Sequence, residues 1–399
     1  MKEIREVEKQ VLKAFKTEIP SIYFSDKTKK EYKVWINKQE YLFRHLLNFP
    51  PKMFKDCSLI DLGAGTGENT VVYSKWGANC TLVEVNDDAC NIAKKVFKNY
   101  SLNPKNHKII CQSLFDFKSK KKYDIVVSNG VIHHTGDKEK AFNKMASLLK
   151  PNGYLILGIG NQSGCFQRQL KRMIIAKFAN NEKEIIEVAE KLFAEDINRR
   201  QRFSQRDRLS VIYDSFVVPK QDDPSVKEVL SWFSKNNLKF YSSYPSILLP
   251  VMSDSLLNPP TFNLINFKDM SVYAEAYWML HNKDDIEDIP KILTNFNTLS
   301  ENLSDLTSYI NDFNLNTVID YDDLIKKLSK YTNSLNKLDM TSYLKTKHKV
   351  FDKEVKQLLN LLKKGNIDKV SEFLKTTKQL FQGTGGFGHM HYIAYKEEK

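Results

Sequence analysis

The chain has 399 residues, 41% of them apolar and 12% aromatic, enough for a full α/β domain plus about one more domain of material. No run approaches the roughly 18 apolar residues of a membrane span, and Met1-Lys2-Glu3-Ile4-Arg5-Glu6 lacks the apolar core of a signal peptide. Five scattered cysteines without CxxC spacing predict neither a disulfide framework nor a zinc site, and no His/Cys/Asp cluster suggests another metal; the expectation is a cytoplasmic protein with no membrane contact.

The net charge of +13 is uneven. Residues 251–399 carry 19 Lys and Arg against 20 Asp and Glu, so the excess lies in residues 1–250. Much of it is lysine on polar faces, such as Lys118 to Lys122. Arginine behaves differently: of nine in the chain, seven lie in residues 168–208, and Arg199, Arg200, Arg202, Arg206 and Arg208 fall within ten residues. Planar guanidinium groups suit carboxylate or phosphate recognition. The competing reading is a helix face paired with Glu190, Glu195 and Asp207.

In chain order, residues 1–56 read as a helical cap, with apolar spacing in Val34-Trp35-Ile36 and from Tyr41 to Leu47, closed by Pro50-Pro51. Strands and helices then alternate over 57–160. Leu59 to Leu62 is a strand, 68–76 a helix, Cys80 to Val85 a strand, and Asp87 to Tyr100 a helix with Asp87 or Asp88 near its cap. Lys108 to Cys111 and Asp124 to Ser128 are further strands. Residues 138–149 form a helix stopped by Lys150-Pro151-Asn152-Gly153, and Tyr154 to Ile159 is a fifth strand. This rhythm predicts a doubly wound parallel sheet. Residues 161–216 read as a charged helical lid. A helix and a strand follow in 217–245, then a helical block over 246–385, and a glycine turn with a final strand in 386–399.

Gly63, Gly65 and Gly67 sit between a strand and a helix, and Glu84 ends the next strand. Glycines let backbone approach a nucleotide closely, and the acid accepts hydrogen bonds from ribose hydroxyls. A pyrophosphate fingerprint needs a third glycine at position 68, where this chain has Glu68. A carboxylate at a helix N-terminus repels a pyrophosphate. S-adenosylmethionine (AdoMet) has no phosphate, so the spacing favours AdoMet over NAD.

Asp61-Leu62-Gly63-Ala64-Gly65-Thr66-Gly67, Glu84, the stretch Tyr123 to His134 and Leu148 to Gly153 together resemble the motifs of class I AdoMet-dependent methyltransferases. The resemblance covers residues 57–160. It implies a seven-stranded doubly wound sheet with a helical lid and a large helical insertion before the last strand, and AdoMet as cofactor. It implies cofactor contacts from Asp61, Gly63, Ala64, Gly65, Gly67, Glu84, Val85, Ser113, Leu114 and Asn129. Where the family often carries an acid for the adenine amine, this chain has Ser113, preceded by Gln112.

For the acceptor side, His133 and His134 end the fourth strand, at the rim where α/β ligands bind, and Tyr213 and Asp214 belong to the lid. These four are the catalytic candidates; Arg199, Arg200 and Arg202 are the candidates for substrate binding. The expected activity is methyl transfer to a small thiol, hydroxyl or amine, with an anionic acceptor suggested by the arginines. An RNA or protein methyltransferase and a noncatalytic AdoMet-binding scaffold are the alternatives; the chain has no recognisable nucleic-acid module. A homodimer through the helical insertion stays open.

Overall fold

The computed structural model describes residues 2–24, 27–247, 269, 271–280, 296–337, 342–382 and 389–396. Seven strands form one sheet: β1 (Ser58–Leu62), β2 (Asn79–Glu84), β3 (Lys108–Cys111), β4 (Tyr123–Asn129), β5 (Leu149–Gly160), β6 (Leu238–Tyr244) and β7 (His389–Lys396). Their order is β3-β2-β1-β4-β5-β7-β6. The first five pair in parallel, and β7 is antiparallel to both β5 and β6. The central strands read as nearly continuous apolar runs because helices cover both faces of the sheet; in β1, Leu59, Ile60, Asp61 and Leu62 are all buried.

Helix α1 (Lys2–Thr17) and helix α2 (Lys29–Tyr41) form the N-terminal layer. Thr28 and Glu31 make a reciprocal capping box that starts α2. Between the sheet strands run α3 (Thr70–Lys75), α4 (Asp87–Tyr100) and α5 (Lys138–Ser147). The cap of α4 is Asn86, whose side chain accepts from the Asp88 backbone N–H; Asp87 and Asp88 stand beside it in the first turn, near the cap as expected. One correction concerns the cysteines. Cys90 of α4 and Cys111 of β3 form a disulfide, their Cα atoms 6.2 Å apart, because α4 packs against the strand 21 residues further on.

The segment expected as a lid comprises α6 (Phe166–Phe178), α7 (Glu182–Ser204) and α8 (Arg208–Ile212), which widens into a further turn over Tyr213–Val217. After α9 (Val226–Lys235) and β6, the described part of the insertion holds α10 (Val272–Leu280), α11 (Phe296–Asn311), α12 (Tyr321–Asn336), α13 (Ser342–Lys364) and α14 (Ile367–Leu374). The expected glycine turn at 383–388 lies outside the described residues.

Lid and insertion share one apolar core. Phe166, Leu170 and Ile174 of α6 pack with Leu306, Leu328, Phe351 and Leu358 of the insertion. Two other cores fill the faces of the sheet. One includes Phe142, Trp232, Phe233 and Tyr392, and the other Phe43, Phe54, Tyr73 and Phe97.

Glu275 of α10 ties the insertion to the sheet. Its buried carboxyl accepts hydrogen bonds from the Asn161 side chain (3.1 Å), just after β5, and from the Val226 N–H (3.1 Å) at the start of α9. Burial raises this carboxyl from its ordinary 4.5 to about 7. Below about 4.5 both states are protonated and the favourable neutral form is fully present. As pH rises toward 7 the unfolded chain ionises first, so this contribution to stability is lost across that window. Glu275→Gln, which stays neutral, is expected to flatten the fall in unfolding free energy between about pH 4.5 and 7, measured by denaturant melts at several pH values. Trp232→Ala, which empties a site packed on Phe142 (ring centroids 5.3 Å apart), is expected to cost about 3–5 kcal/mol in the same melts.

Candidate functional site

The carboxyl ends of β1, β2 and β4 converge where the connections diverge to opposite faces, the crevice where open α/β sheets bind ligands. The loop after β1 supplies Gly63 to Gly67. A Cβ on Gly67 would stand 3.1 Å from the Phe97 ring and 3.3 Å from Leu82, so only glycine lets the loop lie this close to α4. Gly65 has φ +55° and nothing within 4 Å of a hypothetical Cβ, and the same open space lies at Gly130, just past β4. Those two positions leave room where a ligand must approach backbone.

Glu84 organises the floor of the crevice. Its carboxylate accepts the Gly65 N–H (2.8 Å) and the Asn86 N–H (2.8 Å), so it braces the glycine loop against the start of α4. Burial raises its pKa, against these backbone hydrogen bonds. Asp61 receives the Thr70 hydroxyl, and burial raises it to about 7. Its other oxygen has no partner among the described residues. Glu68 is not exposed at a helix tip. It accepts the Ile22 N–H (2.6 Å), the Tyr23 N–H (3.2 Å) and the Ser21 hydroxyl, stapling residues 21–23 onto the glycine loop.

Val85 is 37% exposed beside Glu84, and the buried Leu114 follows Ser113 at the end of β3, so two apolar side chains border that edge. Over it lies α1. The Phe15 carbonyl accepts from the Asn86 side chain (3.1 Å), Lys16 pairs with Asp87 (2.5 Å), Arg5 pairs with Asp116, and Glu8 receives the Ser113 hydroxyl. The Phe15 ring meets His134 edge-on at 5.6 Å.

On the β4 side, Asn129 ends the strand, and His133 and His134 are buried in the short turn after it, their rings 4.2 Å apart. His134 Nδ1 lies 2.7 Å from the Lys220 carbonyl. A carbonyl can only accept, so Nδ1 carries the proton and the Nε2 lone pair is free of that bond. Burial lowers the pKa of this ring, keeping it neutral. Asp214 stands nearby; burial alone would raise it, but Arg206 (3.2 Å), His134, Arg168 and Arg200 hold it below its ordinary value. Tyr213, by contrast, turns its hydroxyl to Glu182 and is raised to about 12, burial being the main cause.

The lid arginines divide by environment. Arg199 pairs with Asp196 (2.6 Å), Arg208 with Glu190, and Arg202 is exposed on α7. Arg200 reaches the Ser215 hydroxyl, and Arg206 reaches Asp214. Two further cations that the clustering at 199–208 did not single out lie on α6: Arg172, which is buried, and Arg168, which is partly exposed. Arg168 pairs with the fully buried Asp223 at 2.8 Å. Arg172 donates to the carbonyls of Val218 (2.7 Å) and Ser215 (3.4 Å), and burial followed by the charge of Arg168 depresses it to about 10. The Nε atoms of both have no partner among the described residues. Only the helical register of α6 would have pointed to them.

Residues 34–191 match a family model described as a methyltransferase domain. Among curated proteins, the chain is similar to a ubiquinone biosynthesis O-methyltransferase of Rhodopseudomonas palustris, 26% identical over 106 residues, covering 26% of this chain and 40% of that one. It is also similar to a hybrid PKS-NRPS synthetase of Penicillium oxalicum, 27% identical over 128 residues, covering 29% of this chain and 3% of that one. The chain thus spans less than half the length of either relative. Among solved structures, it resembles an S-adenosylmethionine-dependent methyltransferase from Clostridium acetobutylicum (20% identity, TM-score 0.27, 36% of this chain and 55% of that one). It likewise resembles magnesium protoporphyrin IX methyltransferase from Synechocystis (12% identity, TM-score 0.31, 48% and 67%). Residues 34–191 thus match a methyltransferase domain, set on a sheet of order β3-β2-β1-β4-β5-β7-β6 with a glycine loop braced by Glu84.

Proposed function

We propose that the chain transfers a methyl group from AdoMet to a small-molecule acceptor bearing an anionic group. The observation that carries the acceptor class is the buried Arg172 guanidinium beside the partly exposed Arg168, both with Nε atoms that lack partners among the described residues, near Arg200, Arg206 and His134. Removing a guanidinium from water costs several kcal/mol unless an anion compensates it. Asp223 compensates Arg168, whereas Arg172 has only carbonyl partners. Bidentate guanidinium recognition suits a carboxylate or a phosphate.

AdoMet, when bound, supplies an electrophilic methyl on a sulfonium. Gly63, Ala64, Gly65 and Gly67 would hold its backbone-facing edge, Glu84 its ribose hydroxyls, and Val85, Ser113 and Leu114 the base; Asp61 supports the loop through Thr70, and Asn129 borders the reacting end. The residues fit this role: the Glu84 carboxylate retains lone pairs beyond its two backbone donors, and Gly65 and Gly130 leave open space. Displacement at a methyl group depends mostly on alignment. The lid and α1 enclose the crevice and exclude water. His134, neutral with its lone pair on Nε2, is placed to take a proton from a hydroxyl or thiol acceptor, and His133 packs against it. Asp214 positions Arg206, while Tyr213, bonded to Glu182, anchors the lid.

The inward pairing of Arg199, Arg200 and Arg206 argues against an exposed basic stripe for nucleic acid. The test is turnover of labelled AdoMet with metabolite extract, reading methylated products by mass spectrometry. New anionic methylated metabolites are expected; label appearing only in RNA or protein would overturn the reading. Glu84→Gln is expected to weaken S-adenosylhomocysteine about tenfold or more by calorimetry, through one lost charge-assisted hydrogen bond. Arg172→Lys is expected to raise KM for the acceptor about tenfold while leaving S-adenosylhomocysteine affinity unchanged. His134→Gln is expected to lower kcat about 100-fold or more with an oxygen or sulfur acceptor, and an unchanged kcat would remove it as a base.

A further inference from the structure

We infer that Glu8, carried by the N-terminal helix α1, supplies the carboxylate that reads the exocyclic amine of the donor's adenine. This inference rests on the AdoMet reading above. The sheet order places the parts of the donor. The glycine loop follows β1, the ribose acid Glu84 ends β2, and the acceptor groups His133 and His134 follow β4 on the other side of β1. The sulfonium must face β4, so the base extends the opposite way, over the ends of β2 and β3.

The end of β3 offers no free carboxylate there. Ser113 follows Gln112, and Asp116, the next acid, is paired with Arg5. An adenine amine is a donor of two N–H bonds and needs an acceptor. Glu8 provides one. It receives the Ser113 hydroxyl on one oxygen and the Arg5 guanidinium on the other at 2.9 Å. A carboxylate has about four lone-pair directions, so two contacts leave room for another donor. The two contacts also fix its orientation. Glu8 lies near enough to Glu84 for its negative charge to raise that acid further, after burial and against the backbone hydrogen bonds, so the two carboxylates belong to one crevice. Val85 and Leu114 line the same edge with apolar surface suited to a flat base.

The arrangement also couples donor binding to closure of α1. The helix is held at its far end by Lys16 on Asp87 and by the Phe15 carbonyl on Asn86, both at the start of α4. AdoMet, whose amine would donate a hydrogen bond to Glu8, therefore favours the docked helix.

The test uses calorimetric binding of two probes to the full chain: S-adenosylhomocysteine, with an amine at the 6-position of the base, and S-inosylhomocysteine, with a carbonyl there. Wild type is expected to prefer the adenosine probe. Glu8→Gln, whose amide accepts more weakly but can also donate, is expected to bind the adenosine probe about tenfold more weakly and to narrow the preference by a similar factor. Ser113→Ala, which loosens the helix without removing the carboxylate, is expected to weaken both probes alike. If Glu8→Gln keeps the wild-type preference, Glu8 does not read the amine. If it binds the adenosine probe more tightly, Glu8 stands where the base must lie; either result overturns the inference while leaving the AdoMet reading intact. Wild type that binds neither probe would overturn the AdoMet reading itself, and this inference with it.

Discussion

The site depends on one buried carboxylate. Glu84 ends β2 and accepts N–H groups from both the glycine loop and the start of α4, so a single side chain sets the distance between the two backbone segments that face the donor. Its burial is costly, which its raised pKa reflects, and the backbone donors offset part of that cost. The glycines around it make the approach feasible, since a side chain at Gly67 would push the loop away from α4. Remove the carboxylate and two N–H groups lose their acceptor at the place where geometry matters most.

Around this floor the chain builds two walls by different means. The donor wall is the sheet edge with α1 laid over it, held by polar contacts at both ends of the helix. The wall proposed for the acceptor is the helical segment α6–α8, which shares a core with the insertion, so α6 is packed from behind by helices more than a hundred residues later in the chain. Glu275 then fastens that combined body to the sheet beside β5 and α9. The insertion therefore acts on the site indirectly. It supports the helix that carries Arg168 and Arg172, and any acceptor group they hold is positioned by that packing.

Much of this architecture was legible in the sequence. The alternation of short apolar strands with helices, the glycine spacing of residues 63–67 and the acid at Glu84 are local patterns, each carried by residues close in the chain. They led to the doubly wound sheet and the donor loop; the return of the last strand came from the family resemblance. The start of α4 was legible too: Asn86, Asp87 and Asp88 are all good capping types, and backbone conformation makes Asn86 the cap. The bond between Cys90 and Cys111 escaped because spacing along the chain says nothing about α4 lying on β3.

The acceptor side shows the limit most clearly. Arginine enrichment between 168 and 208 drew attention to one segment, in which Arg199 and Arg208 are held by Asp196 and Glu190 while Arg172 is buried beside Arg168. Which face of a helix meets the core depends on partners such as Leu306 and Phe351 that lie far away in the chain. The same holds for Glu8, which meets Ser113 across 105 residues with no periodic signal linking them. The sequence by itself determined the fold class and the donor loop, because strand rhythm and glycine spacing are short-range constraints on backbone. Only the tertiary structure decided which charged groups face the crevice, because burial and pairing are set by helices that the chain brings together from its two ends.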